Sequence, residues 1–109
     1  MPHRPGRWTP PDATRRINAC ARGNDLTASY AAHAKARLIE RGLLIGDVIY
    51  VLKNGYVYED AEVSTRSGFF KYCIEGRSPN SDGRTLRLVV VPSGGAEIKI
   101  VTVMWKDEK

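Results

Sequence analysis

Residues 29–42, SYAAHAKARLIERG, place His33, Arg37 and Arg41 at successive four-residue steps. On a helix such steps advance by only about 40°, so the three side chains form one basic strip beside an apolar face. Further along, Lys71, Glu75 and Arg77 stand at even spacings within FFKYCIEGR (69–77). Residues two apart on a strand point the same way, so these share one face and Tyr72 and Ile74 take the other. Arg84 and Arg87 fall on opposite faces of the next strand, and only one of them can join the charged face. An imidazole, guanidiniums and a carboxylate suit cleavage of a phosphodiester without a metal. His33 can take the ribose 2′-hydroxyl proton or protonate the leaving oxygen, while arginines hold the charge growing on the phosphoryl oxygens.

The same residues admit a plainer reading. Arg37 and Arg41 can pair with Glu40 and Asp47 on a wet helix face, and Lys71, Glu75 and Arg77 can be a ladder of charges on an exposed sheet. His33 is then a solvated helix residue, and Phe69, Phe70, Tyr72 and Trp105 pack rather than stack on bases.

Composition narrows the partners. The chain has 109 residues, with 17 Lys and Arg against 12 Asp and Glu, a formal charge of +5. The pI near 9.5 favours a polyanion, RNA in the first place, over a neutral metabolite. The histidines are His3 and His33 and the cysteines are Cys20 and Cys73. Their separation offers no closed ligand set and no CxxC pair, so neither a metal nor a disulfide is expected, and both thiols are expected to be reduced, buried and inert. GxSxG, P-loop and GxGxxG sequences are missing, which sets aside the corresponding hydrolases, nucleotide-triphosphate enzymes and dinucleotide oxidoreductases, and no cofactor is expected. Apolar runs such as Val48–Leu52 and Leu88–Val91 are too short to span a bilayer. MPHRPGRWTPPD carries charge without a following apolar stretch, so a cytoplasmic address is expected.

The elements that position these residues follow from periodicity. Residues 1–8, with Pro2, Pro5 and Gly6, read as a flexible arm, and residues 9–109 as a single domain. Thr9, Pro10, Pro11 and Asp12 start a helix that runs to Arg22 and stops at Gly23-Asn24, with Thr9 as the capping hydroxyl. A second helix is expected from Thr27–Ser29 to Arg41-Gly42, and a third over DVIYVLKNG (47–55). From Tyr56 the period becomes two, through YVYEDAEV (56–63), FFKYCIEGR (69–77), RTLRLVVV (84–91) and EIKIVTVMW (97–105). The links between them are rich in turn formers. The expected fold class is α+β: N-terminal helices packed on one face of a four-stranded antiparallel sheet.

The order of motifs adds a resemblance. S-x-x-x-H-A-x-x-R-x-x-x-R-G-L (29–43), D-V-x-x-V-L-K-N-G (47–55), K-Y-x-x-E-G-R (71–77), L-R-L-V-V-V (86–91) and I-K-I-V-T-V-x-W (98–105) resemble a family of small bacterial domains of unknown function that is similar to RelE/MqsR-type ribonuclease toxins. The resemblance covers roughly residues 28–105. It implies a RelE-like fold and metal-independent cleavage of mRNA, in some toxins only on the ribosome, with an acidic antitoxin protein as partner. By motif match His33, Arg37 and Arg41 correspond to the histidine–arginine helix, and Glu75 with Arg77 to the E-G-R strand. The last strand ends in Trp105 and Lys106, where such enzymes commonly carry basic and aromatic residues. The expected catalytic set is therefore His33, Arg37, Glu75 and Arg77, with Arg41, Lys71, Arg87 and Lys106 contacting RNA. The competing expectation is a non-catalytic module that binds nucleic acid or protein through the same basic surface, or a protein partner along a sheet margin.

Overall fold

Alternation along the strands divides the sheet into two unlike faces. Leu86, Leu88 and Val90 are buried while Arg87 and Val89 between them stay partly accessible, and Tyr72 and Ile74 behave likewise in their strand. The computed structural model describes residues 6–108. In chain order it contains α1 (Pro10–Arg22), β1 (Thr27–Tyr30), α2 (Ala32–Glu40), α3 (Ile45–Asn54), β2 (Tyr56–Val57), β3 (Glu62–Val63) and β4 (Phe70–Gly76). A 3-10 turn (Pro79–Ser81), β5 (Leu86–Pro92) and β6 (Glu97–Trp105) complete it. The strands lie in the order β1-β6-β5-β4-β2, with β3 also pairing with β4. The three helices cover the apolar face: Ala13, Ile17 and Ala21 of α1, Ala34 and Leu38 of α2, and Val48, Val51 and Leu52 of α3 join the strand residues in one core. Among the described residues no helix is long and apolar enough to cross a membrane.

The α+β class holds, but the sheet is six-stranded and mixed rather than four-stranded and antiparallel. Residues 27–30, expected to begin the second helix, form a strand parallel to β6, with Thr27 N–H donating to Ala96 O and Ala31 N–H to Ile100 O, both at 2.9 Å. TASY alternates exposed and half-buried side chains, and it gains a ladder in β6 that a frayed first helical turn cannot match. The expected strand 56–63 is broken in two. Tyr56 and Val57 pair with Glu75 and Ile74, and Glu62 and Val63 with Lys71 and Phe70. Residues 58–61 thus face only Tyr72 and Cys73, and the surplus leaves the ladder. The strand expected over 84–91 starts two residues later and ends at Pro92, leaving Arg84 in the preceding loop. Between β5 and β6 the register shifts at Val89/Val90, which pair with Thr102 and Ile100, so Val101 is the extra residue.

Local details also differ. The Thr9 hydroxyl makes no capping bond; its carbonyl accepts from Ala13 N–H at 2.7 Å, and Pro10 and Pro11 occupy the first turn. Residues 1–5 of the expected arm, and His3 with them, lie outside the described residues. Arg7 and Trp8 are docked: Trp8 stacks on Tyr72 with ring centroids 5.5 Å apart, its backbone N–H donates to the Tyr72 hydroxyl at 2.9 Å, and Arg7 donates to Ala61 O at 3.0 Å. Both cysteines are half-buried and unpaired with each other. Gly55 links α3 to β2 where a Cβ would lie 2.6 Å from the carbonyl oxygens of both Val51 and Glu75, so only glycine lets the helix end approach β4 this closely.

Asp47 ties α3 to the β4–β5 loop. Its buried carboxylate accepts from Leu44 N–H at 2.8 Å, from the Ser78 hydroxyl at 2.8 Å and from the Asn80 amide at 3.0 Å. Burial acts to raise its pKa, and the Leu44, Asn80 and Ser78 donors outweigh that and hold it below the ordinary carboxylate value. A depressed folded-state value gives stability that is present above the unfolded pKa and lost as pH falls through the folded one. Asp47→Ala should therefore cost about 1–3 kcal/mol at pH 7, because three donors lose their acceptor. In urea unfolding the gap to the wild type should narrow at pH 3; an equal gap at both pH values would show that the charge of Asp47 is not what the loop depends on.

Candidate nucleic-acid interface

Glu75 sits on β4 with its side chain on the face the helices leave open. Strand pairing places Tyr56 beside it on β2, Arg87 opposite on β5, and Met104 beyond on β6. The turn that follows β6 is held by Lys106 N–H donating to Thr85 O at 2.8 Å. Lys106 is two residues past Met104, so alternation brings its side chain back over the same face. Its Nζ lies 2.9 Å from Glu75 Oε1, and Arg87 Nε lies 3.4 Å from Glu75 Oε2. Glu75 is only 6% exposed. A carboxylate this buried needs such counter-ions.

The surroundings complete a shallow cleft. Tyr58 is 65% exposed, its ring 6.2 Å from that of Tyr56, and Lys106 lies 5.8 Å above the Tyr58 ring. Arg77 and Thr85 form the opposite wall, with Arg77 Nε donating to Thr85 Oγ1 at 3.4 Å. Arg77 is exposed and, among the described residues, pairs with no carboxylate. Arg87 also reaches Glu59 at 2.5 Å. Burial works against the charge of Arg87, and the Glu59 and Glu75 carboxylates beside it favour the guanidinium, which stays above its ordinary range. Burial pushes the neighbouring Cys73 thiol up, which keeps it protonated. Among the described residues no three His, Cys, Asp or Glu side chains gather as metal ligands would.

The other expected site residues lie elsewhere. Lys71 is near the opposite end of β4, 3.4 Å from Glu62. His33 and Arg37 share α2, which packs on β6 from the helix side, while Arg41, expected on the same helix, is the residue just past its end. His33 is exposed and joins none of the ion pairs among the described residues. Arg37 pairs with Glu40 at 2.8 Å; Arg41 pairs with Glu40 at 3.2 Å, and its Nε donates to Glu108 at 2.8 Å. Asp47, the other acid expected to meet these arginines, is committed to Ser78 and Asn80 instead. Arg41, and then the Trp105 N–H, pull the Glu108 carboxyl down to about 2.

The turn after Trp105 joins these regions. Lys106 reaches Glu75, Asp107 meets Arg84 at 2.8 Å, and Glu108 meets Arg41. Arg84 in turn covers the Trp105 ring at 4.1 Å. Of the eight expected residues, the structure brings together Glu75, Arg77, Arg87 and Lys106, and keeps Lys71 and the α2 strip apart from them. Tyr56, Tyr58, Glu59 and Thr85 were missed by sequence reasoning, although the alternation in YVY places both tyrosines on one side of a strand.

Searches of curated proteins and of solved structures return no match to the chain. A family described as a domain of unknown function, DUF4258, matches residues 30–105, from the end of β1 through β6. That stretch contains the whole Glu75 cleft except Lys106 and leaves α1 outside, and on it the chain belongs to the DUF4258 family.

Proposed function

We propose that the chain is a metal-independent endoribonuclease whose reacting centre is Glu75 between Arg87 and Lys106. The observation that carries this reading is a buried carboxylate flanked by two cations, on the floor of a cleft rimmed by two exposed tyrosines and an unpaired arginine. Tyrosine rings offer bases a stacking surface, and Arg77 offers a phosphate a bidentate partner. When RNA enters, a phosphate takes over the two cations from Glu75 and frees the carboxylate. Glu75 then accepts the 2′-hydroxyl proton, the 2′-oxygen attacks phosphorus, and the bond to the 5′-oxygen breaks with a proton supplied by Lys106. Arg87 holds the charge that grows on the phosphoryl oxygens.

This assigns acid–base work to Glu75 and Lys106 and leaves His33 outside the chemistry. Arg37, Arg41 and Lys71 serve as outlying phosphate contacts, because they lie away from the cleft that holds Glu75, Arg77 and Lys106. The likeness to RelE/MqsR toxins supports mRNA as substrate, free or on the ribosome, a cytoplasmic setting and an acidic antitoxin as partner. One observation favours the alternative of a non-catalytic binding module: both oxygens of Glu75 already have a cation partner, which suits a structural ion pair.

Purified protein incubated with RNA in EDTA should leave a 2′,3′-cyclic phosphate on the upstream fragment and should not cut DNA, which lacks the attacking hydroxyl. Glu75→Gln should slow cleavage by about 10²–10⁴-fold while His33→Ala stays within a few fold. The reverse pattern would return the acid–base role to α2, and cleavage that stops in EDTA would exclude the mechanism.

Binding is read separately with a 2′-O-methyl RNA that cannot be cleaved. Arg77→Ala and Lys106→Ala should each reduce the slope of log affinity against log salt by about one. Unchanged slopes would remove the cleft from RNA binding, and tight binding with no cleavage of ordinary RNA would establish the binding-module reading.

A further inference from the structure

β1 is the outer strand of the sheet on the side away from Glu75. Thr27 and Ala31 spend their N–H groups on β6. Backbone groups alternate sides along a strand, so the N–H and C=O of Ala28 and Tyr30 point to the free edge. Such edges are ordinarily blunted with charge, proline, a bulge or a covering segment. TASY carries none of the first three, and among the described residues nothing pairs with this edge. The opposite margin is protected, being broken into two-residue strands.

The two sides of this edge differ in chemistry. On the helix side Tyr30, Leu38, Ile39, Leu43, Leu44 and Ile45 line an apolar groove. Ile39 is 81% and Leu44 66% exposed, and the Tyr30 hydroxyl is buried without a hydrogen-bond partner. Lys35 stands at the rim. On the other side Thr27 and Ser29 border a polar cleft with Arg66 and Lys99, together with Glu97, which accepts from the Ser93 hydroxyl at 3.3 Å. Lys35, Lys99 and Arg66 pair with no carboxylate among the described residues.

We infer that the free edge of β1 is a docking site for an extended, acidic segment of another polypeptide, which adds a strand to the sheet. Alternation on the incoming strand puts every second side chain over the apolar groove and the others beside Lys99 and Arg66. The occupant therefore alternates apolar with acidic residues. The charge of +5 and the unpaired cations select an acidic partner. A second copy of this chain would set those cations against their own counterparts. The inference is independent of the ribonuclease reading, since it uses the opposite edge of the sheet.

The probe is a labelled ten-residue peptide alternating leucine or valine with glutamate. Its controls are the same composition scrambled and a version with lysine for glutamate. Binding should be saturable for the first peptide alone. The amides of Ala28 and Tyr30 should gain protection from hydrogen exchange on binding, and those of Thr27 and Ala31, already bonded to β6, should change little. Ile39→Glu and Leu44→Glu, both at exposed positions that tolerate charge, should each weaken binding about tenfold, the equivalent of losing one buried aliphatic side chain. Equal binding of the three peptides, or undiminished binding to either variant, would overturn the inference. Protection of Ala28 and Tyr30 in the protein alone with dimer elution would assign the edge to a second copy. Protection of these amides by RNA in place of the peptide would assign it to nucleic acid.

Discussion

A carboxylate withdrawn from water costs several kcal/mol unless cations stay beside it, and Glu75 is placed in that position by a strand whose other face is core. Its counter-ions come from two directions. Arg87 is fixed by the β4–β5 register, and Lys106 arrives only because β6 runs its full length and turns back against Thr85. The turn that delivers Lys106 also commits Asp107 to Arg84 and Glu108 to Arg41. The need to neutralise one buried acid therefore reaches through the end of β6 to α2. On the other flank, Gly55 allows α3 to close on the Glu75 carbonyl and bring Tyr56 into register beside it.

The net charge acquires a different meaning in this arrangement. Arg15, Arg16, Arg37, Arg41, Lys71, Arg84, Arg87 and Lys106 all face acids, so the surplus positive charge sits on other residues, Arg77, Lys35, Lys99 and Arg66 among them. Exposed pairs of this sort contribute little because water and salt screen them, and a polyanion that offers several phosphates at once can displace them. The cleft at Glu75 differs from the α2 strip in three respects: its acid is buried, its rim is aromatic, and Arg77 is uncommitted.

Much of the fold was legible from local patterns. Helix α1 follows from Pro10, Pro11 and the Ala13, Ile17, Ala21 stripe, and β6 from its alternation, each with the bounds expected. Strand β1 was illegible because TASY adjoins an alanine-rich run and becomes a strand only through pairing with residues about seventy positions away. The break in 56–63 was equally hidden, since it arises from a mismatch in length against β4. Of the site, the sequence named Glu75, Arg77, Arg87 and Lys106 and put Glu75 and Arg77 on one strand face, but it could not tell that Arg87 and Lys106 meet at Glu75. Strand alternation aligned Lys71 with Glu75, yet the same strand carries them to different neighbourhoods. His33 and Arg37 stand one turn apart on α2 as the helical period requires, but Arg41 lies just past the helix end and is engaged by Glu108, an acid far away in sequence.

The central claim is that RNA is engaged at the Glu75 cleft and that a phosphate replaces the carboxylate as partner of Arg87 and Lys106. The most direct measurement is a crystal structure of the protein with a short 2′-O-methyl RNA. The account predicts a phosphate within hydrogen-bond distance of Arg87 and Lys106, a base stacked on Tyr58 or Tyr56, and the Glu75 carboxylate turned toward the blocked 2′-oxygen. RNA lying along His33, Arg37 and Arg41 with the Glu75 ion pairs intact would contradict it.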